Sequence, residues 1–90
     1  MIPENRKPNH PGDILYYEFL EPLKMAQVDL AKKMKVPIQR INTLISGKRG
    51  VTAETALLLA QVLKTSPEFW MNLQTTYDLY EAKQYMKKAA

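Results

Sequence analysis

A short stretch near the middle of the chain carries amide and hydroxyl side chains at helical spacing. One side of the repeat is apolar and consists of Ile38, Ile41, Leu44 and Ile45. The other side is polar and has no acid, and it consists of Gln39, Asn42, Thr43 and Ser46, with Arg40 between the two sides. In the DNA major groove, amide side chains form hydrogen bonds with adenine and a guanidinium forms hydrogen bonds with guanine, while the methyl group of a threonine contacts the thymine methyl. The alternative is a solvent-exposed amphipathic helix, but such helices usually carry more Glu and Lys.

The positive charge of the chain is concentrated around this stretch. The net charge is +4, and residues 24–50 alone sum to +6. Residues 1–23 sum to −2 and residues 51–90 to zero. A basic segment between acidic and neutral ones favours a polyanionic partner, nucleic acid first. Charge alone leaves a solvated face without a partner equally open.

Composition excludes most catalytic and metal chemistry. The chain has 90 residues, no cysteine and one histidine, His10. It therefore has no disulfide, no Cys-type zinc site and no histidine cluster, and we expect no cofactor and no enzyme activity. It has neither a signal-peptide pattern nor an apolar run of about 20 residues, so we expect a cytoplasmic protein without a membrane partner. A chain this short buries a modest core, which favours a homodimer.

Apolar periodicity predicts an all-α, compact five-helix domain. No stretch alternates with period two, so no sheet is expected. The predicted helices cover residues 11–20, 27–34, 37–46 and 53–63, and the fifth runs from 67 past 80.

Proline, glycine and hydroxyl residues mark the predicted boundaries. Pro22 should end the first helix, and Pro37 should lie in the first turn of the third. Gly47 fits the residue just past that helix. Thr52 and Ser66 should cap the fourth and fifth helices.

Two further groups fit a helix lying on DNA. Gln27 opens the second helix, where backbone N–H groups and the helix dipole favour a phosphate. Lys48 and Arg49 directly follow Gly47 and could hold the DNA backbone beside the groove. Ala26 occupies the N-cap position of the second helix and supplies no capping oxygen.

Several motifs together resemble a known family. Gln27-Val28-Asp29-Leu30-Ala31, Val36-Pro37, Arg40-Ile41-Asn42 and Gly47-Lys48-Arg49-Gly50 resemble the Cro/repressor-type helix-turn-helix. His10-Pro11-Gly12-Asp13-Ile14-Leu15, Glu18-Phe19-Leu20-Glu21-Pro22-Leu23, Val51-Thr52-Ala53-Glu54-Thr55-Ala56-Leu57 and residues 65–74, TSPEFWMNLQ, are similar to the HigA-type antitoxins, also called virulence-associated protein I. The resemblance covers about residues 9–82, and its second set of motifs is the more specific.

The resemblance implies a bacterial, sequence-specific DNA-binding antitoxin. Such proteins repress their own toxin–antitoxin operon, usually as dimers on an inverted repeat. They also neutralise a HigB-type toxin, an mRNA endonuclease with a RelE-like fold. The DNA-binding positions that the resemblance implies are Gln27, Pro37, Gln39, Arg40, Asn42 and Thr43, with Lys48 and Arg49 nearby.

Three residues depart from the family pattern. Ala26 replaces a Ser or Thr, which removes an N-cap and should weaken phosphate binding. Lys35 and Lys64 replace glycines, which should introduce small strain at two turns.

The resulting prediction is a repressor-like helix-turn-helix DNA-binding domain over residues 10–82. Residues 1–9 form an irregular arm, and residues 83–90 a helix end or frayed tail. The alternatives are a phage-like repressor without a toxin partner and an adaptor that binds only protein. For His10 and Asp13 a capping role is favoured over a catalytic pair, and for Trp70 a core position over an aromatic ligand pocket.

Overall fold

The computed structural model describes residues 7–89, and these form five helices without a strand. Helix α1 is continuous over Pro11–Leu15, Tyr16–Leu20 and Glu21–Leu23. The others are α2 (Gln27–Met34), α3 (Ile38–Ile45), α4 (Ala53–Leu63) and α5 (Pro67–Ala89). The all-α, five-helix prediction is confirmed. In this part of the chain no helix is both long and apolar enough to cross a membrane.

Helix α1 does not end at Pro22 as predicted. Its middle section is a π turn, in which the Glu21 N–H donates to the Tyr16 carbonyl. The wider π turn ends at Leu20, two residues before the proline, which lies in the first turn of the section Glu21–Leu23. The helix ends instead at Lys24, whose φ is +53°. The prediction was wrong because Pro22 lies within one turn of the π section, whose wider backbone accommodates both the missing N–H and the bulk of the proline ring.

Helices α1 and α3 approach each other at Gly12, which is buried. A Cβ at this position would overlap the Leu44 carbonyl oxygen and lie 2.9 Å from the Ile45 Cα. Only a residue without a side chain allows this approach. The contact fixes α3 at its C-terminal end, and α2 also packs against α3.

The hydrophobic core lies where all five helices meet. Trp70 is fully buried, and its Nε1–H donates to the Thr65 hydroxyl at 2.7 Å. This confirms the predicted core position of Trp70, although Phe69 beside it is 38% exposed. The other large, fully buried side chains are Leu15, Leu20, Leu30, Ile41, Leu44 and Leu59.

The predicted caps of α4 and α5 are confirmed. The Thr55 N–H donates to the Thr52 hydroxyl at 3.3 Å, and the Phe69 N–H donates to the Ser66 hydroxyl at 3.1 Å. Both hydroxyls satisfy a backbone donor that the first helical turn leaves without a partner. Helix α5 therefore begins at Pro67, as expected.

Lysines occupy three left-handed turns where glycine is the unstrained residue. Lys24, Lys35 and Lys64 have φ values of +53°, +58° and +58°. Each ends a helix, so its charge lies favourably near the negative end of the helix dipole. The conformation costs a residue with a Cβ about 1–2 kcal/mol. The strain predicted for Lys35 and Lys64 is therefore located at helix ends.

The described residues at the two ends of the chain differ in structure. Lys7, Pro8 and Asn9 have no regular structure, and residues 1–6 of the predicted arm lie outside the described residues. Residues 83–89 continue α5, so the predicted tail is helical as far as it is described.

His10 caps α1, as favoured over a catalytic pair. Its Nδ1 accepts the Gly12 N–H at 2.9 Å, and its ring packs edge-on against Tyr77 at 4.9 Å between centroids. Burial lowers the pKa of His10 below its ordinary value, while Asp13 and Asp78 pull it the other way. Protonation at Nδ1 would also remove the acceptor.

This arrangement predicts a loss of stability in mild acid. The folded pKa is the lower one, so the unfolded chain takes up the proton first as the pH falls. The free energy of unfolding should therefore decrease as the pH falls through about 6.5 and level off below the folded pKa. Denaturant titrations between about pH 5 and pH 8 measure this. His10→Asn keeps a capping oxygen without titrating, so an equal pH dependence in that variant would contradict the role of His10.

Candidate nucleic-acid interface

Helices α2 and α3 form a helix-turn-helix. Leu30, Ala31 and Met34 of α2 and Ile41 and Leu44 of α3 are buried against the core. The turn between the helices begins at the left-handed Lys35, where the Val36 N–H donates to the Ala31 carbonyl at 3.0 Å. This packing leaves one side of α3 facing away from the core.

Pro37 lies one residue outside the position predicted for it. It is the N-cap of α3, with φ −62° and ψ 146°, and the helix begins at Ile38. Extended backbone is the usual N-cap conformation, and the Pro37 carbonyl accepts the Arg40 N–H at 3.0 Å. The other end of α3 also lies one residue earlier than predicted, because Ser46 is the C-cap.

The outer side of α3 presents the side chains that the sequence indicated. Gln39 and Asn42 are exposed, and Thr43 is half-buried. The Thr43 hydroxyl donates to the Gln39 carbonyl at 2.7 Å, so its proton is already engaged in the helix. Gln39 and Asn42 therefore offer amide donors and acceptors, and Thr43 mainly its methyl group.

Arg40 differs from its neighbours because it is paired within the protein. Its Nη1 lies 2.8 Å from Glu54 Oε1 in the first turn of α4. The Arg40 side chain is 28% exposed, and that of Glu54 is 72% exposed. The sequence placed Arg40 between the two sides of the helix but did not indicate this partner, which is 14 positions away.

The N-terminus of α2 has the geometry expected for an uncapped helix. Ala26 has φ −76° and ψ 154°, and no side chain caps the helix. The Ala26 carbonyl accepts the N–H groups of Asp29 and Leu30, both at 3.1 Å. The N–H groups of Gln27 and Val28 come earlier in the chain and have no acceptor within the helix, as at the start of any helix. The structure thus confirms Ala26 as the N-cap residue.

Adding a hydroxyl at Ala26 should stabilise the free protein. Ala26 is exposed, so Ala26→Ser places an oxygen beside those amides without crowding the core. We expect the free energy of unfolding to rise by about 1 kcal/mol, which raises the melting temperature by roughly 4–8 °C. Thermal melts measure this. Thr52→Ala, which removes the corresponding cap of α4, should lower the melting temperature by a similar amount. An Ala26→Ser variant that melts no higher than the parent would contradict this start of α2.

A basic loop follows α3 directly. Gly47 has φ +81°, and the N–H groups of Lys48 and Arg49 donate to the Thr43 carbonyl at 2.9 and 3.1 Å. Both basic side chains are exposed. Two backbone bonds thus hold these charges against the end of α3, beside its polar side.

Helix α5 holds the far end of this loop through Gln74. Its Oε1 accepts the Val51 N–H at 2.7 Å, and its Nε2 donates to Asp78 Oδ1 at 2.8 Å. A Cβ on Gly50 would lie 2.8 Å from the Gln74 Oε1 atom, so the loop passes closely over the amide. The motif that contains Gln74 indicated its place in the family pattern but not this contact, which joins residues 23 positions apart.

The outer side of α3 and the basic loop after it present hydrogen-bonding groups and positive charge on one surface. Gln39, Asn42 and Thr43 lie on one helix side, and Lys48 and Arg49 follow at its end. Gln27 lies at the start of α2 and is half-buried. Across residues 7–89, no group of three or more His, Asp or Glu side chains could hold a metal ion.

Comparison with known proteins identifies the class. A helix-turn-helix family model matches residues 17–70, which is more than half of the chain. The fold and this match define a DNA-binding protein of the helix-turn-helix family.

Individual relatives show which family within this class the chain belongs to. The antitoxin HigA-1 of Vibrio cholerae is 38% identical over 86 residues, which cover 94% of this chain and 80% of the relative. The structure of an addiction module antidote protein of the HigA family from Coxiella burnetii has a TM-score of 0.86 and 42% identity, and covers 93% of this chain and 91% of its own. The Pseudomonas aeruginosa antitoxin HigA, solved with the higBA promoter, has a TM-score of 0.87 and 38% identity, covering 91% and 89%. The chain belongs to the HigA-type antitoxin family, whose members are not enzymes.

Proposed function

We propose that this chain binds operator DNA in a sequence-specific manner and represses its own toxin–antitoxin operon. The observation that carries the proposal is the acid-free outer side of α3, where Gln39 and Asn42 are exposed. The Pseudomonas aeruginosa relative, which was solved with the higBA promoter, supports this.

The proposed interface divides into base contacts and backbone contacts. Amides bonded to adenine and a methyl group against thymine distinguish one sequence from another. Cations and helix N-termini hold phosphates and fix the register without specifying sequence. The residues proposed for bases are Gln39, Arg40, Asn42 and Thr43, and those proposed for the backbone are Gln27, Lys48 and Arg49. Pro37, which has no N–H to donate, is proposed to contact DNA from the start of α3.

The protein should act on DNA as a homodimer. A two-fold dimer places two recognition helices about 34 Å apart, one helical turn of DNA, and matches an inverted repeat. Helices α4 and α5 supply apolar surface for such a contact, since Leu57 is 60% exposed and Leu79 is 59% exposed. Sedimentation of the protein alone and on its operator measures this state.

The second part of the proposal is neutralisation of a HigB-type mRNA endonuclease. The family membership supports it, together with the antitoxin name of the Vibrio cholerae relative. The test looks for a small reading frame adjacent to the gene of this chain and co-expresses the two under separate promoters. We expect that expression of the reading frame alone arrests growth and that this chain relieves the arrest. We also expect both proteins to be recovered in one complex.

The alternatives give different results in the same strains. A phage-like repressor would silence a reporter fused to its own promoter but would relieve no toxicity. A protein-only adaptor would relieve toxicity without silencing the reporter. The proposal requires both effects.

A further inference from the structure

The ion pair between Arg40 and Glu54 joins the recognition helix to the helix that follows the basic loop. Arg40 Nη1 and Glu54 Oε1 are 2.8 Å apart, and among the described residues this is the one ion pair within 4.0 Å. Most of the Arg40 side chain is covered, whereas most of the Glu54 side chain is exposed. The carboxylate thus holds a guanidinium that starts on α3.

The pair leaves part of the guanidinium available. A guanidinium has five N–H donors in a planar fork, and the bond to Glu54 uses one through Nη1. The donors on Nε and Nη2 lie on another edge of the fork. Two parallel donors are what a guanine presenting O6 and N7 in the major groove requires. Arg40 can therefore be held by Glu54 and contact a base at the same time.

The Glu54 carboxylate also lowers the positive charge that this edge of α3 presents to DNA. An unpaired arginine at the edge of α3 would be attracted to any phosphate, regardless of sequence. With Glu54 beside it, the pair has no net charge, and this general attraction is weakened. Lys48 and Arg49 remain to supply it from the loop.

We propose that Glu54 is a positioning residue that determines specificity. It holds the Arg40 guanidinium against the start of α4, so that Arg40 contacts a guanine edge rather than any nearby phosphate. The inference rests on the proposed DNA-binding function and adds to it a residue outside the helix-turn-helix.

A purely structural role for Glu54 makes a different prediction. An acid in the first turn of a helix stabilises it through the helix dipole, whatever it contacts. Glu68 occupies the same kind of position in α5 and is exposed, so Glu68→Ala is a matched control. Loss of a dipole interaction alone would affect the stability of both variants and the sequence preference of neither.

The experiment measures dissociation constants on two duplexes over a range of salt concentrations. One duplex is the segment that the protein protects in its own promoter, and the other is a scrambled duplex of equal length. The proteins are the wild type, Glu54→Ala, Glu54→Gln, Arg40→Ala, Glu68→Ala and the double variant of Arg40 and Glu54 to alanine. Circular dichroism fixes a temperature at which all of them are folded.

Glu54→Ala should bind scrambled DNA more tightly, with a salt slope steeper by about 0.9 per subunit. Its preference for the promoter duplex should fall roughly tenfold. Glu54→Gln keeps an acceptor for Arg40, so it should retain more of the preference while also binding scrambled DNA more tightly. In the Arg40→Ala background, removing Glu54 should change the preference by less than about twofold.

Two results would overturn the inference while leaving the proposed function intact. One is a Glu54→Ala variant whose preference equals that of a promoter-selective wild type. The other is an equal loss of preference with and without Arg40, since Glu54 would then act independently of it. A wild-type protein with no preference for its promoter would overturn the proposed function, and this inference with it.

Discussion

Replacing Gly12 with alanine should remove much of the folding free energy. The added Cβ would overlap the Leu44 carbonyl oxygen, and it would lie 2.8 Å from the carbonyl carbon and 2.9 Å from the Ile45 Cα. All three are backbone atoms of α3 or its end, so no side-chain rotation relieves the contact. Helices α1 and α3 must move apart, and we expect a loss of about 3 kcal/mol or more.

Gly47→Ala is the matched control for this prediction. Gly47 has φ +81°, but no atom lies within 4 Å of a Cβ built there. Its substitution should therefore cost only the backbone strain, about 1–2 kcal/mol. Urea titrations of both variants provide the comparison. If Gly12→Ala were no less stable than Gly47→Ala, the close crossing of α1 and α3 would be wrong.

Removing the indole of Trp70 should have a comparable effect. The side chain is fully buried and packs against Phe19 and Phe69, with ring centroids 5.2 and 5.0 Å away. Trp70→Ala leaves a large cavity and also removes the donor to the Thr65 hydroxyl. We expect a loss of about 3–5 kcal/mol, against a total of roughly 5–13 kcal/mol for a domain of this length.

Tyr85→Ala serves as the control on the same helix. Tyr85 is 74% exposed, so its loss should change the free energy of unfolding by less than about 0.5 kcal/mol. Equal losses in the two variants, measured by denaturant titration, would contradict the core position of Trp70.

Features set by neighbouring residues could be predicted from the sequence. The outer side of α3, the hydroxyl caps at Thr52 and Ser66 and the left-handed Gly47 follow from local spacing and backbone preference. Each depends on residues within one or two helical turns. The sequence could therefore indicate which polar side chains of α3 face away from the core, although Ile38, on the apolar side of the repeat, is 37% exposed as well.

Features set by distant contacts could not be predicted. Glu54 holds Arg40 from 14 positions away, and Gln74 holds the Val51 amide from 23 positions away. Both contacts depend on how α4 and α5 fold back beside α3, which helical periodicity does not specify. The π turn before Pro22 is also missed, because proline in a sequence favours a helix end.

The outer side of α3 is proposed to distinguish one DNA sequence from another. Competition binding of Asn42→Ala, on the promoter duplex and on a scrambled duplex, measures this discrimination. Lys48→Ala is the control, since a phosphate contact should weaken binding to both duplexes about equally and lower the salt slope by roughly 0.9 per subunit. We predict that Asn42→Ala loses about 1–3 kcal/mol on the promoter duplex and little on the scrambled one. Equal losses on both duplexes would contradict the claim, because Asn42 would then position the protein without specifying sequence.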